Sequence, residues 1–473
     1  NAGLGISMIS ADGTISPFYI FPPAYSFLLS QISNLVGDYI LAARVIDAVS
    51  FGLLIFTITW GILVLSKNIP IAVASGLLVL FAPIMLENFT GLMTEPLFIF
   101  LFYGSFFFTH LYIQKQRNHW LILSILLTAL APLVRYIGVI LCVLNPLILL
   151  CLSKFPLKER IRKAFLFGFL TVLPIVMWFI SSIRQYHTIG GRSIIFPTDV
   201  GQKLLSFLKN SAAIFRTWIP YIGYRVNLIP DGTKVGIITC ALISLLMIDL
   251  FFYLRKRKSA QVGIFPRLMF SSILTIVLYM IFLVVSYLFA SMPPSINSRM
   301  LSPLWPAFVI LFVNGIAFFL EQMPVPWKKP ATILMIVVMF LPLRFYALRT
   351  WANARDLHEN GYGFTSRAIQ TSGFLQAIED IPDDTPLITN DPALVLFYTQ
   401  RMPYELTPIS NMRLGDGNTS VDMFFSTQNA ALILDYASMR NTYTDWSTRL
   451  DALTDGLDVS FQDDIGGIYY FSK

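Results

Sequence analysis

Five charged side chains fall at one end of the apolar runs in this chain, and their types are the ones group-transfer chemistry uses. Asp12 lies in the opening loop, and Glu87 closes the run 70–86. Glu95 opens the run 95–114 within Thr94-Glu95-Pro96. Arg135 separates the runs 119–131 and 136–152, and Arg299 precedes the run 300–320. A ring of carboxylates and guanidinium groups around one opening suits sugar transfer from a phosphate donor. There a carboxylate, with Asp12, Glu87 and Glu95 as the catalytic candidates, deprotonates or orients the acceptor. Cations stabilise the departing phosphate, and arginine does so with paired hydrogen bonds. A divalent metal held by the carboxylates could take that second role. Plainer readings stand beside each residue. Glu95 could simply cap a helix, Glu87 could mark a membrane edge, and Arg135 could satisfy carbonyls at a helix break.

The elements that must carry these groups are membrane spans. The chain is 55% hydrophobic with a mean hydropathy of +0.66, values that exclude an ordinary soluble protein. Ten apolar runs follow the opening loop, at 39–65, 70–86, 95–114, 119–131, 136–152, 163–184, 234–254, 267–291, 300–320 and 330–349. The fourth and fifth are short for a hydrocarbon core of about 30 Å and are expected as a tight helical hairpin or a re-entrant pair. Lys67, Lys115 with Arg117, the runs Lys154 to Lys163 and Arg255 to Lys258, and Lys328 with Lys329 all alternate onto one side. The positive-inside rule makes that side cytoplasmic. The candidate site then faces the other side. Because the basic residues sit between apolar runs, as topology signals do, nucleic acid is not an expected partner. Cys142, Cys151 and Cys240 all lie in apolar runs and suggest neither a disulfide framework nor a zinc motif.

Charge divides the chain again. Residues 1–349 carry a net +17 and residues 350–473 a net −10, so the tail reads as a separate extracytoplasmic unit. Its patterning predicts an α/β domain: a helix from Thr365 to Glu379, a strand at Pro386 to Thr389 before a helix opening near Asp391-Pro392, a buried strand at Ala430 to Leu434, and a hairpin from Val459–Phe461 and Ile468–Phe471. The expected division is 1–38 as an outer loop with an interfacial helix after Pro22-Pro23, 39–349 as the membrane body, and 350–473 as the tail. Within the body, Arg44 and Asp47 stand three apart on a helix and are expected to pair. The outward segment 185–233 interleaves His187, Arg192, Lys203, Lys209, Arg216 and Arg225 with Trp218, Tyr221 and Tyr224. That pattern suits either a lipid phosphate, with Arg192 as a phosphate ligand beside Arg135 and Arg299, or an amphipathic helix on headgroups.

Several strings resemble a known family. "DGTISPFYIFPPAYSFLLSQISNLVGDYILAARVIDAV", "GLMTEPLFIFLF", "APLVRYIGVIL" and "INSRMLSPLWP" are similar, in order, to landmarks of bacterial C-type (GT-C) membrane glycosyltransferases. These are the relatives of protein O-mannosyltransferase and of the aminoarabinose transferase. The resemblance implies a polytopic α-helical GT-C fold of about ten transmembrane helices in this chain, with the α/β domain outside. It implies a hexosyl-type transfer from a polyprenyl-phosphate-linked sugar in a bacterial inner membrane, often with a divalent metal ion. The family's usual catalytic aspartate follows a first transmembrane helix, and the chain begins at Asn1 beyond that point, so upstream residues are expected to be missing and Asp12 is at most a substitute. Two other classes remain open from the sequence: a transporter or flippase of a lipid-linked substrate, and a non-catalytic membrane scaffold. A transporter would favour charges at the bilayer midplane and repeated halves.

Overall fold

The structure is a computed structural model and describes residues 6–9, 15–18, 21–186, 196, 199–220, 263–290, 296–406, 430–442 and 445–471. It divides into two units, residues 19–354 and residues 1–18 with 355–473.

The first unit is helical. It runs through α1 (Ala24–Val36), α2 (Tyr39–Ser66), α3 (Ile69–Leu80), α4 (Pro83–Thr90), α5 (Glu95–Lys115), α6 (Asn118–Val134), α7 (Leu141–Leu152), α8 (Leu157–Tyr186), α9 (Val200–Thr217), α10 (Ile264–Phe289), α11 (Ser298–Leu301), α12 (Trp305–Gln322) and α13 (Val325–Asn360). Among the described residues six helices are long and apolar enough to cross a membrane, or seven if α3 and α4 form one bent span. The expected ten runs are accounted for differently. Runs four and five are α6 and α7, apolar but short, and run 234–254 lies outside the described residues.

Local sequence explains the breaks. Asp38 and Asn68 cap α2 and α3 by accepting hydrogen bonds from Leu41 N and Ile71 N, satisfying donors that a helix start leaves free. Pro83 lacks an N–H and opens α4 after a 54° bend. Pro132 near the end of α6 is followed by Arg135 in extended conformation and a 3₁₀ turn over Tyr136–Ile140. The turn folds back so closely that a Cβ on Gly138 would stand 2.5 Å from the backbone of Ala131 and Pro132, so only glycine fits without movement. Arg135 is thereby fixed at the joint of a helical pair whose far ends are flanked by Arg117 and Lys154.

Polar groups stitch α5, α6 and α7 where no water would reach. Asn145 Nδ2 donates to Ser105 Oγ at 3.0 Å and to Thr128 Oγ1 at 2.8 Å, and the Thr109 and Ser124 hydroxyls lie 2.6 Å apart. Hydrogen bonds of this kind, with small residues at contacts, hold helices together in an apolar medium. Trp305 Nε1 donates to Leu78 O at 3.2 Å, tying α12 to α3.

In the second unit a seven-stranded sheet has the order β2-β1-β4-β3-β5-β7-β6, with β1 (Ile6–Ile9), β2 (Ile15–Phe18), β3 (Leu387–Thr389), β4 (Tyr404–Glu405), β5 (Ala431–Asp435), β6 (Leu457–Gln462) and β7 (Gly466–Phe471). The centre is parallel and each flank is an antiparallel hairpin. Every residue of β3 and β5 is buried, as the continuous apolar runs there require. Asp391 caps the helix Pro392–Thr399. The stretch from Thr365 to Glu379 is broken into three short helical pieces, with Ser372 capping the last. The opening residues also depart from the expected 1–38 loop. They form a hairpin whose Ile9 pairs with Tyr404, and the unit boundary falls after Phe18. At the other expected boundary, α13 runs through residue 350 to Asn360.

Candidate functional site

Three of the named residues meet at the start of α5. Glu95 is 1% exposed, and its Oε1 is shared by Arg135 Nη1 from the α6–α7 joint and Arg299 Nε from α11. Arg135 Nη1 also donates to Thr94 Oγ1 at 3.2 Å, and Thr94 Oγ1 donates to Glu95 Oε2 at 3.3 Å. Thr94 precedes the helix without a side-chain capping bond. The arrangement is therefore an ion cluster rather than a cap.

The segment carrying Arg299 is pinned from below. Asn297 Oδ1 accepts from Met300 N at 3.0 Å, Tyr279 OH donates to Met300 O at 2.9 Å, and Tyr103 OH donates to Pro303 O at 2.7 Å. Arg135 is 17% exposed at its side chain and Arg299 44%. One buried carboxylate thus orients two guanidinium groups, and Arg299 keeps nearly half its surface free. The cluster carries one excess positive charge and, among the described residues, guanidinium N–H groups that Glu95 does not take up, which suits a phosphate.

Glu87 does not join this cluster. Its Oε1 accepts from Asn353 Nδ2 at 3.3 Å, from α13, beside the bond from Thr350 Oγ1 to Phe81 O at 2.6 Å. Asp12 and Arg192 lie outside the described residues. In the segment 185–233, α9 is described and is amphipathic, burying Phe207, Ser211 and Ala212.

Sequence reasoning missed Asp47. The expected Arg44–Asp47 pair does not form: Arg44 is exposed, whereas Asp47 is 1% exposed and neither carboxylate oxygen has a hydrogen-bond partner among the described residues. A signal was present. Ala43, Asp47, Ser50, Leu54, Ile58, Gly61 and Leu65 recur at three- and four-residue steps, the buried stripe of a helix, and Arg44 lies off that stripe.

For a divalent metal the described residues fit poorly. They contain no group of three or more His, Cys, Asp or Glu side chains placed to hold one. Glu95 is already committed to two cations, and Glu87 is turned to α13.

Comparisons with known proteins give one family match and several similar structures. Residues 21–178 match the family described as Dolichyl-phosphate-mannose-protein mannosyltransferase, a stretch that contains Glu95 and Arg135. No curated protein matches the chain by sequence. The structure is similar to ArnT from Cupriavidus metallidurans in the apo state, at 16% identity and a TM-score of 0.52, covering 96% of this chain and 88% of that one. The chain shares the fold of that structure. ArnT bound to undecaprenyl phosphate gives the same TM-score and coverage at 15% identity. The archaeal oligosaccharyltransferase AglB from Archaeoglobus fulgidus, in complex with an inhibitory peptide and a dolichol-phosphate, matches at 10% identity and a TM-score of 0.52. That match covers 98% of this chain and 67% of AglB.

Proposed function

We propose that this protein transfers a sugar from a polyprenyl-phosphate donor to an acceptor on the extracytoplasmic side of a bacterial inner membrane. The observation that carries the reading is the buried Glu95 carboxylate shared by Arg135 and Arg299. A glycosyl phosphate leaves as an anion, and cations already oriented at that point stabilise it without reorganising during the reaction. Glu95 acts here as the anchor that holds both guanidiniums in place. The GT-C fold and the polyprenyl phosphates bound by ArnT and AglB support the class of donor. The hexosyl nature of the sugar, the outward placement of the acidic domain and the cytoplasmic placement of Lys154 to Lys163 follow from the charge pattern and the family resemblance.

The test is transfer of radiolabelled sugar from undecaprenyl-phosphate-linked donors into lipid, glycan or protein fractions, by membranes containing the full-length protein. Incorporation that disappears in Arg299→Lys is the expected result. Equal incorporation by wild type and by membranes lacking the protein would remove the assignment.

A further inference from the structure

Around Glu95 most buried polar groups are satisfied: Tyr103 and Tyr279 donate to carbonyls, and Thr94 bonds to Glu95 and Arg135. Two are not. The Asp47 carboxylate on α2 and the Tyr25 hydroxyl on α1 are buried, each without a hydrogen-bond partner among the described residues. Asp47 and Glu95 are in electrostatic range of one another, and Tyr25 is in range of both. The Met93 backbone lies close to Asp47 but short of hydrogen-bond geometry.

An unpaired buried carboxylate is costly. The other buried polar side chains of α2, Ser50 and Thr57, are small and neutral. Groups left unsatisfied beside a site are the ones a ligand completes. In a glycosyl phosphate the sugar ring is joined directly to the phosphate. When the phosphate rests on Arg135 and Arg299, ring hydroxyls must fall within a few ångströms of that clamp. A hydroxyl donates one hydrogen and accepts in return, which matches a carboxylate and a phenol that lack a donor and an acceptor.

We infer that Asp47 and Tyr25 form a carbohydrate subsite beside the Glu95–Arg135–Arg299 cluster, with Asp47 accepting a hydroxyl hydrogen from the donor sugar and Tyr25 bonding the same ring. This rests on the polyprenyl-phosphate reading above. The subsite recognises the sugar and the arginines recognise the phosphate, so the two are separable.

The experiment uses the full-length protein in nanodiscs and two kinds of probe. One is undecaprenyl phosphate. The other is a set of undecaprenyl-phosphate sugars carrying glucose, mannose or 4-amino-4-deoxyarabinose, of which the tightest binder is taken. Wild type is expected to bind that sugar lipid at least about tenfold tighter than undecaprenyl phosphate, the scale of one hydrogen bond to a charged group. Asp47→Asn should erase the preference and Tyr25→Phe should reduce it, both leaving undecaprenyl phosphate binding unchanged. Because the groups removed are unpaired, both variants should melt no lower than wild type. If Asp47→Asn nevertheless melts lower, Tyr25→Phe carries the test. A wild type that binds undecaprenyl phosphate without preferring any sugar lipid, or a preference that survives both substitutions, overturns the subsite alone. A wild type that binds neither kind of lipid overturns the polyprenyl-phosphate reading, and the subsite with it.

Discussion

Replacing Glu95 by glutamine keeps the shape of the side chain and removes the charge that two guanidinium groups share. The cost can be divided between them. Arg135 is 17% exposed against a carboxylate that is 1% exposed, so its loss falls near the buried-pair scale, where removing one partner costs about 3–5 kcal/mol. Arg299 is 44% exposed, and solvent screening brings its share down to about 0–1 kcal/mol. The lower end of the sum, about 3 kcal/mol, is the expected loss for Glu95→Gln. Arg135→Met should cost a similar amount, because it leaves the acid buried with only the outer arginine. The double variant should lose less than the two single losses added, with a coupling of at least about 1.5 kcal/mol. Equilibrium unfolding of all four proteins in mixed micelles measures this. If Glu95→Gln loses less than about 1 kcal/mol, the scale of a carboxylate at a helix start, the ion cluster is not what holds this end of α5. Additivity in the double variant would refute the pairing itself.

Other expectations are independent of that cluster. Gly138→Ala should push the 3₁₀ turn off α6, since the new Cβ would meet backbone at 2.5 Å; a loss of about 1–3 kcal/mol in the same unfolding assay is expected, and an unchanged midpoint would show that the turn yields freely. Asp435 in the sheet unit has its carboxyl pushed above the usual range, by burial first, with Ala437 and Ser438 N–H groups opposing. A raised carboxyl in the folded state favours the fold at low pH and loses that contribution as pH rises through the folded value. Relative to Asp435→Asn, wild type should therefore lose stability from pH 4 to pH 7 when domain melting is followed by near-ultraviolet circular dichroism, and parallel profiles would contradict this. A single cysteine placed at Asp416 on a cysteine-free background should react with an impermeant thiol reagent in intact cells; labelling only after the membrane is opened would reverse the orientation.

How far the sequence led depends on which contacts are local. Glu95, Arg135 and Arg299 were legible because each sits at the break of an apolar run, and the alternation of flanking charge puts those breaks at one end. Glu87 satisfies the same rule, yet beyond the 54° bend at Pro83 a bond from Asn353 holds it to α13, and no pattern in the sequence marks that contact. Asp47 was misread because a three-residue spacing to Arg44 outweighed the buried stripe that contains it. The strands β3, β5, β6 and β7 follow from their apolar patterning. The joining of the β1–β2 hairpin to this sheet did not, since Ile9 pairs across to Tyr404, far along the chain. Loop closure over that distance leaves no local trace. The two short helices α6 and α7 were visible as apolar runs, but the reason they form a pair, Pro132 with Gly138 packed onto its backbone, is a matter of close approach that spacing alone does not encode.

Lipid binding tests the phosphate clamp most directly. Binding of undecaprenyl phosphate and of undecaprenol, which differ only in the phosphate, should be compared for wild type, Arg299→Lys and Arg135→Lys in nanodiscs. Wild type is expected to prefer the phosphate-bearing lipid. Each lysine variant keeps its charge but loses the paired donors of a guanidinium, and should weaken undecaprenyl phosphate binding by about tenfold to a hundredfold while leaving undecaprenol unchanged. Wild type that binds the two lipids equally, or lysine variants that bind undecaprenyl phosphate as wild type does, would contradict the claim that Glu95 holds Arg135 and Arg299 for a lipid phosphate.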